Sequence, residues 1–67
     1  MSPRRTGERE VFIEITTLGR FAKASAIDAA TGTEVSLMGP ANAEHSGLKA
    51  AVLRKLEFVL KKRDEKA

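Results

Sequence analysis

Few side chains of this 67-residue chain could do acid–base or nucleophilic chemistry. His45 is the single histidine and cysteine is absent, so a Ser/His or Cys/His pair has at most one candidate base. Glu14 and Glu34 fall on the two outer strands of the predicted three-stranded sheet, with a strand between them, which makes them a poor acid–base pair. We therefore predict that the protein is not an enzyme and has no catalytic residue.

Residue spacing also gives no support for a metal or cofactor site. One histidine and scattered carboxylates supply no ligand spacing for zinc or another transition metal. The five glycines form neither a phosphate-binding loop nor a dinucleotide fingerprint, and they fall where turns are expected. We predict no metal site and no cofactor.

Basic residues form one candidate binding surface. Residues 48–67 carry seven basic and three acidic side chains, whereas the whole chain has a net charge of +3. Such a segment could contact phosphates, which makes a nucleic-acid-binding module the alternative function. A solvated helix has the same charge pattern, however, so nucleic acid is the less favoured partner. The candidate anion or nucleic-acid contacts are Arg54, Lys55, Lys61, Lys62 and Arg63, with Arg4 and Arg5 near the N-terminus.

These side chains would be positioned by a predicted antiparallel meander of three strands. Alternating β-branched and apolar residues indicate strands at about 10–18, 21–27 and 34–38. Gly19 supplies the positive φ of a type II′ turn after the first strand. In the second turn, Asp28 can bond the backbone ahead of it and Gly32 can adopt the left-handed conformation.

Both turns set a register that places the same apolar residues on one sheet face. With Leu18 opposite Phe21 and Asp28 opposite Thr33, a slip of one residue in either hairpin would scatter this set over both faces. Gly39-Pro40 is expected to end the third strand, because proline cannot donate to a sheet. The predicted inner face comprises Val11, Ile13, Ile15, Ala22, Ala24, Ala26, Val35 and Leu37.

A C-terminal amphipathic helix is predicted at about 46–62. Ser46 is the expected N-cap and Asn42 the competing start. The apolar residues fall within an arc of about 140°, wide enough to cover the sheet. They are Leu48, Val52, Leu53, Leu56, Val59 and Leu60. The predicted fold class is α+β, a βββα domain of two layers.

Length and composition limit the chain to one small domain, which we place at residues 10–62. Residues 1–9 are expected to form a flexible basic tail, and residues 63–67 a frayed, charged C-terminus. The absence of cysteine fits a reducing cytoplasm. No apolar run is long enough for a membrane span, and the helix needs its apolar arc for the sheet, so we predict a cytoplasmic protein without a membrane partner.

Two apolar surfaces are left outside this core, one on the outer sheet face and one on the helix. Cores of chains below ~70–80 residues rarely supply more than a few kcal/mol without a staple or a second subunit. We therefore predict a homodimer, and the proline-containing hinge at residues 39–43 would also permit a domain-swapped form with exchanged helices. The candidate self-association or partner surface is Phe12, Leu18, Phe21, Ile27, Met38 and Phe58.

Several segments together resemble a family of short alphaproteobacterial proteins that has no assigned activity. They are Glu10-Val11-Phe12-Ile13-Glu14, Ala26-Ile27-Asp28 through Thr31-Gly32-Thr33-Glu34-Val35-Ser36, Gly39-Pro40, and Arg54-Lys55-Leu56-Glu57 with Val59-Leu60-Lys61. The resemblance covers about residues 10–62, although similar chains have proline at the position of Ala29. It implies a bacterial, single-domain, cytoplasmic protein and supplies no catalytic motif. The predicted function is a small, non-enzymatic, homo-oligomeric interaction or structural module.

Overall fold

Four antiparallel strands and one helix make up the fold. The computed structural model describes the backbone of residues 2–6 and 9–66 and the side chains of residues 10–63. The elements are β1 (Ser2–Thr6), β2 (Arg9–Leu18), β3 (Phe21–Asp28), β4 (Glu34–Pro40) and α1 (His45–Lys66). The strands form one sheet in the order β1-β2-β3-β4, and α1 packs on β3 and β4. The predicted α+β class, a meander packed on a C-terminal helix, is confirmed and gains one strand.

The β2–β3 hairpin has the predicted register and turn. Leu18 pairs with Phe21, and Ile13 pairs with Ala26. Gly19 has a φ of 60°, and no described residue other than glycine has a positive φ. A positive φ at the first central position alone defines the type II′ turn, which suits the twist of the two strands.

Asp28 organises the turn between β3 and β4. Its side chain is buried, and its Oδ2 accepts hydrogen bonds from the Thr31 N–H (3.1 Å) and the Thr31 hydroxyl (2.7 Å). The N–H of Asp28 donates to the Thr33 carbonyl, and the N–H of Gly32 donates to the Asp28 carbonyl, both at 2.8 Å. Gly32 has a φ of 73°. The predicted roles of Asp28 and Gly32 are confirmed.

The core lies between α1 and the inner sheet face. Three fully buried alanines line β3 and let the helix lie close to the strand backbone. The buried hydrophobic residues are Val11, Ile13, Ala22, Ala24, Ala26, Val35, Leu48, Val52, Leu56 and Leu60, and Ile15, Leu37, Leu53 and Val59 pack against them. The inner face and the apolar arc of the helix are those that the sequence predicts.

Strand β1 differs from the predicted flexible tail over residues 1–9. Ser2–Thr6 pairs with β2, and Pro3 lies opposite Phe12. The pattern missed this strand because it has no apolar alternation, and its pairing depends on the backbone of β2. Even-numbered residues of β2 form their hydrogen bonds with β3, as the bond from the Ala29 N–H to the Glu10 carbonyl (3.0 Å) shows. Phe12 therefore forms none with β1, and its partner Pro3 needs no N–H. Residues 1, 7 and 8 lie outside the described residues.

Strand β4 continues to Pro40, two residues past its predicted end. The Ala41 N–H donates to the Arg20 carbonyl at 2.8 Å, which marks these two as a hydrogen-bonded pair. Bonded and non-bonded pairs alternate in an antiparallel ladder, so the next pair, Phe21 with Pro40, is non-bonded. The proline nitrogen therefore faces the open edge, where a missing N–H does not weaken the sheet.

The helix begins at His45, and neither predicted cap starts it. The Leu48 N–H donates to the Glu44 carbonyl at 3.1 Å, so Glu44 occupies the capping position. Ser46 falls in the first turn instead. The preceding segment folds by a bond from the Ala43 N–H to the Pro40 carbonyl at 3.0 Å, and this bond leaves Asn42 within a turn.

The helix also ends later than predicted, at Lys66. It includes most of the segment expected to be frayed, residues 63–67. The Arg63 guanidinium donates to the hydroxyl of Thr33, which fixes this end of the helix on the turn between β3 and β4. The side chains of residues 64–66, and residue 67, lie outside the described residues.

Gly39 of β4 lies against Leu48 of α1, and this contact yields a stability prediction. A Cβ at this position would lie 2.8 Å from Cδ2 of Leu48, whereas one at Gly47 would meet nothing within 4 Å. We expect Gly39→Ala to lower the free energy of unfolding by about 1 kcal/mol through overpacking. The control Gly47→Ala should raise it by roughly 0.5 kcal/mol, because alanine favours a helix. Urea denaturation measures both, and equal shifts would contradict the close packing at Gly39.

Candidate interaction surfaces

The outer sheet face, opposite α1, carries a compact apolar patch beside the β2–β3 turn. Leu18, Phe21 and Met38 keep 52%, 55% and 55% of their surface exposed. Leu18 is the cross-strand partner of Phe21. Met38 is its diagonal neighbour, because Met38 pairs with Lys23, two residues along β3. We call these three residues the hairpin-end cluster.

The other two apolar residues predicted for this face lie at its far end. Phe12 and Ile27 are cross-strand partners and are half-buried. Polar side chains separate this pair from the hairpin-end cluster, and the most central of them, Ser25, is buried. The separating residues are Glu14, Thr16, Lys23, Ser25 and Ser36. The structure therefore divides the predicted surface into two apolar groups rather than one continuous patch.

Phe58, the sixth predicted residue, lies in the helical layer and does not join the outer face. Its side chain is 61% exposed, and the Nζ of Lys62 lies 5.7 Å from the ring centroid, within cation–π distance. Arg54 and Lys61 are exposed and occupy the neighbouring positions one turn before and one turn after the ring. We call Arg54, Phe58, Lys61 and Lys62 the basic–aromatic face.

Lys55, a predicted phosphate contact, binds the sheet. Its Nζ donates to the Ser36 carbonyl at 2.7 Å. Ser36 pairs with Ser25 in a non-bonded pair, so its carbonyl points to the open edge of β4, where another strand could otherwise bond. The sequence signal for this contact is the position of Lys55 at the border of the apolar arc, since at 100° per residue it falls about 20° from Leu48.

Arg63 likewise points toward the sheet and contacts the turn between β3 and β4, through the hydroxyl of Thr33. At 100° per residue it falls inside the apolar arc, between Val52 and Leu56, a position from which a side chain points toward the sheet. Of the five predicted helix cations, three thus belong to the basic–aromatic face and two contact the sheet. The side chains of Arg4 and Arg5 lie outside the described residues.

The groups considered for catalysis are not brought together. His45 is exposed at the first turn of α1, while Glu14 and Glu34 lie exposed on β2 and β4 with β3 between them. Over residues 10–63, no three His, Asp or Glu side chains cluster closely enough to hold a metal ion. Within the described part of the chain, α1 is not apolar enough to cross a membrane.

Comparison with protein families identifies the domain. A family model described as a domain of unknown function, DUF6898, matches residues 8–63. The chain belongs to this family. We predict from the sequence that residues 10–62 resemble a family without assigned activity. The match to a domain of unknown function over residues 8–63 confirms that prediction. No curated protein and no solved structure matches the chain.

In this DUF6898 domain, the Lys55–Ser36 bond can be tested by removing the ammonium group. Lys55→Met retains the apolar stem, and we expect it to lower the free energy of unfolding by about 1 kcal/mol. Lys61→Met makes the same change at an exposed position that does not contact the sheet, and it should shift stability by only a few tenths of a kcal/mol. Both values come from urea denaturation. Equal stability of the two variants would show that the bond contributes nothing.

Proposed function

We propose that this protein is a small, non-enzymatic interaction module that acts as a homodimer joined through the hairpin-end cluster. The observation that supports this proposal is the exposure of Leu18, Phe21 and Met38, each more than half accessible and adjacent on one face. Exposed apolar side chains that form a patch, rather than occurring singly, are typical of an interaction site. The cluster projects no charged group of its own that a second apolar surface would have to desolvate.

The composition of the core favours a second copy as the occupant of this patch. Three of the ten buried hydrophobic residues are alanines, and none is aromatic. All three phenylalanines lie outside the core, with Phe12 half-buried and Phe21 and Phe58 exposed. A chain of this size without a disulfide commonly gains its remaining stability by oligomerisation. Face-to-face packing through the hairpin-end cluster would bury Phe21 of each copy.

The contact we propose is isologous, so each copy uses the same residues. Phe21 of one copy would pack against Leu18 and Met38 of the other, and the reverse contact follows from the two-fold axis. Lys23, beside Met38 on the same face, can extend its ammonium group to solvent at the rim of such a contact.

Pairing of sheet edges is a less suitable route to the dimer. On β4, the amine of Lys55 occupies the outward carbonyl of Ser36, and Pro40 offers no N–H. A lysine amine that occupies an edge carbonyl and a proline within the edge strand both oppose the addition of another strand. On the other side, β1 is the edge strand, and its Pro3 likewise offers no N–H there. These features favour a contact between faces over a contact between edges.

We further propose that this module is a bacterial protein and that it is located in the cytoplasm. The absence of cysteine is consistent with a reducing compartment, and the sequence resemblance to alphaproteobacterial proteins supports the bacterial origin.

Light scattering tests the dimer and its contact. We expect a mass of twice the 7.3 kDa of one chain, and a monomer for Phe21→Ser. The matched control is Phe58→Ser, which removes an equally exposed ring from the helical layer and should leave the dimer intact. A monomeric wild-type protein at sub-millimolar concentration would overturn the proposal. So would a Phe21→Ser variant that dimerises as well as the wild type.

The same sample decides whether the dimer exchanges helices. A swapped dimer would keep the contacts of α1 with the sheet but make them to the other chain, through a straightened connection at residues 41–44. In a mixture of differently isotope-labelled chains, contacts between Leu56 and Ile13 or Ala24 would then appear between chains. Contacts confined to one chain would exclude the exchange and leave the face-to-face dimer unaffected.

A further inference from the structure

We propose that the basic–aromatic face of α1 binds single-stranded nucleic acid, separately from the dimer contact on the outer sheet face. Phe58 is more exposed than any other large hydrophobic residue among the described side chains, at 61%. Cations stand at the positions one turn away on both sides: Arg54 before the ring, and Lys61 and Lys62 after it. The fold makes no use of this ring in its core.

The charge around Phe58 is of one sign. Over residues 48–63, α1 carries six basic side chains and a single acidic one, Glu57. Glu57 lies about 100° around the helix from Phe58 and so does not neutralise this face. Lys55 and Arg63 contact the sheet through uncharged oxygens, so their charges add to the same positive field.

The requirements of the helix account for only part of this arrangement. Basic residues near a helix C-terminus complement the helix dipole, which explains Lys61 and Lys62. The dipole does not explain Arg54, which lies near the middle of α1, or the exposure of an aromatic ring beside it. A cation–π contact at an exposed site contributes about 0.5–1 kcal/mol and needs one cation, not three.

A second copy of this chain does not suit the face. The small neighbour of Phe58 one heptad earlier is Ala51, which is exposed and could receive the ring of an antiparallel partner helix. That pairing would, however, bring Arg54 of each copy opposite Lys55 of the other, next to the two-fold axis. Juxtaposed like charges oppose such a contact. The occupant should therefore be an anion.

Among anionic macromolecules, a single strand fits the aromatic ring best. A membrane-bound helix inserts several large apolar residues, whereas here the apolar arc is buried on the sheet and the outward neighbours of Phe58 are Ala50, Ala51 and cations. A duplex keeps its bases stacked and offers this face only phosphates. A single strand presents both unstacked bases and phosphates, which aromatic and basic side chains bind together.

The spacing of the face suits one stacked base with phosphates on either side. Arg54 and Lys61 lie about 6 Å and 4.5 Å from Phe58 along the helix axis, at 1.5 Å per residue. The Lys62 ammonium, 5.7 Å from the ring centroid, is placed to pair with the phosphate of a base that stacks on the ring. This binding mode reads no sequence, so we expect little discrimination among bases.

Fluorescence anisotropy with labelled twelve-nucleotide dT and U oligomers, at 50 and 200 mM salt, tests the proposal. We expect binding at low salt that weakens as salt rises, and weaker binding to a duplex of the same length. The double variant Arg54→Gln/Lys61→Gln should lose at least tenfold in affinity. The matched control Arg20→Gln/Lys49→Gln removes the same charge elsewhere and should change affinity less than threefold. Equal losses in the two variants would overturn the proposed face.

The ring is tested by Phe58→Ser and, as a variant that stays apolar, Phe58→Leu. Stacking of one base contributes about 1–3 kcal/mol, so we expect a loss of about 5- to 150-fold in affinity for both variants, with the mass in light scattering unchanged. Phe21→Ser should show the opposite result, with altered mass and retained nucleic-acid binding. Absence of binding at 50 mM salt, or Phe58-dependent binding to vesicles of anionic phospholipid without binding to the oligomers, would overturn the inference and leave the dimer proposal untouched.

Discussion

The alanines at positions 22, 24 and 26 set the distance between the two layers of this protein. These alanines are fully buried and their side chains are short, so Val52 and Leu56 can lie close to the strand backbone. The described core contains no aromatic side chain, and all three phenylalanines lie outside it. Alternation along the strands and the periodicity of the helix place the phenylalanines on the outward sides of the two layers, where both candidate interaction surfaces lie.

Much of this architecture could be predicted because the registers of the two hairpins must place the same residues on the inner face. The positive φ of Gly19 and the bonds of Asp28 each fix a register, and both registers put the same residues on the inner face. Strand β1 escaped prediction, since SPRRT pairs through backbone atoms and leaves no periodic trace in its side chains. The sequence predicts that the strand ends before Pro40. A proline weakens a sheet only where its nitrogen faces a neighbouring strand, and which pairs are hydrogen-bonded is visible only in the structure.

The sequence predicts which residues belong to the candidate surfaces, but it does not predict which of them lie next to one another. Alternation along the strands identifies every outward apolar residue, but it does not show which of them have a strand on both sides. Phe12 lies between β1 and β3, whereas Leu18 lies beyond the described extent of β1. Phe12 is half-buried, whereas Leu18 is exposed. Similarly, composition counts Lys55 with the other cations, whereas its direction toward Ser36 depends on where the helix lies.

The blocked edge of β4 has a consequence for how copies of this chain can assemble. Head-to-tail growth of a continuous sheet needs two free edges on every copy, one to add to and one to add with. The amine of Lys55 on the Ser36 carbonyl and the missing N–H of Pro40 each remove one hydrogen-bonding group from the β4 edge. A strand added at this edge would find fewer groups to bond, which favours a closed pair of copies over the seed of a filament.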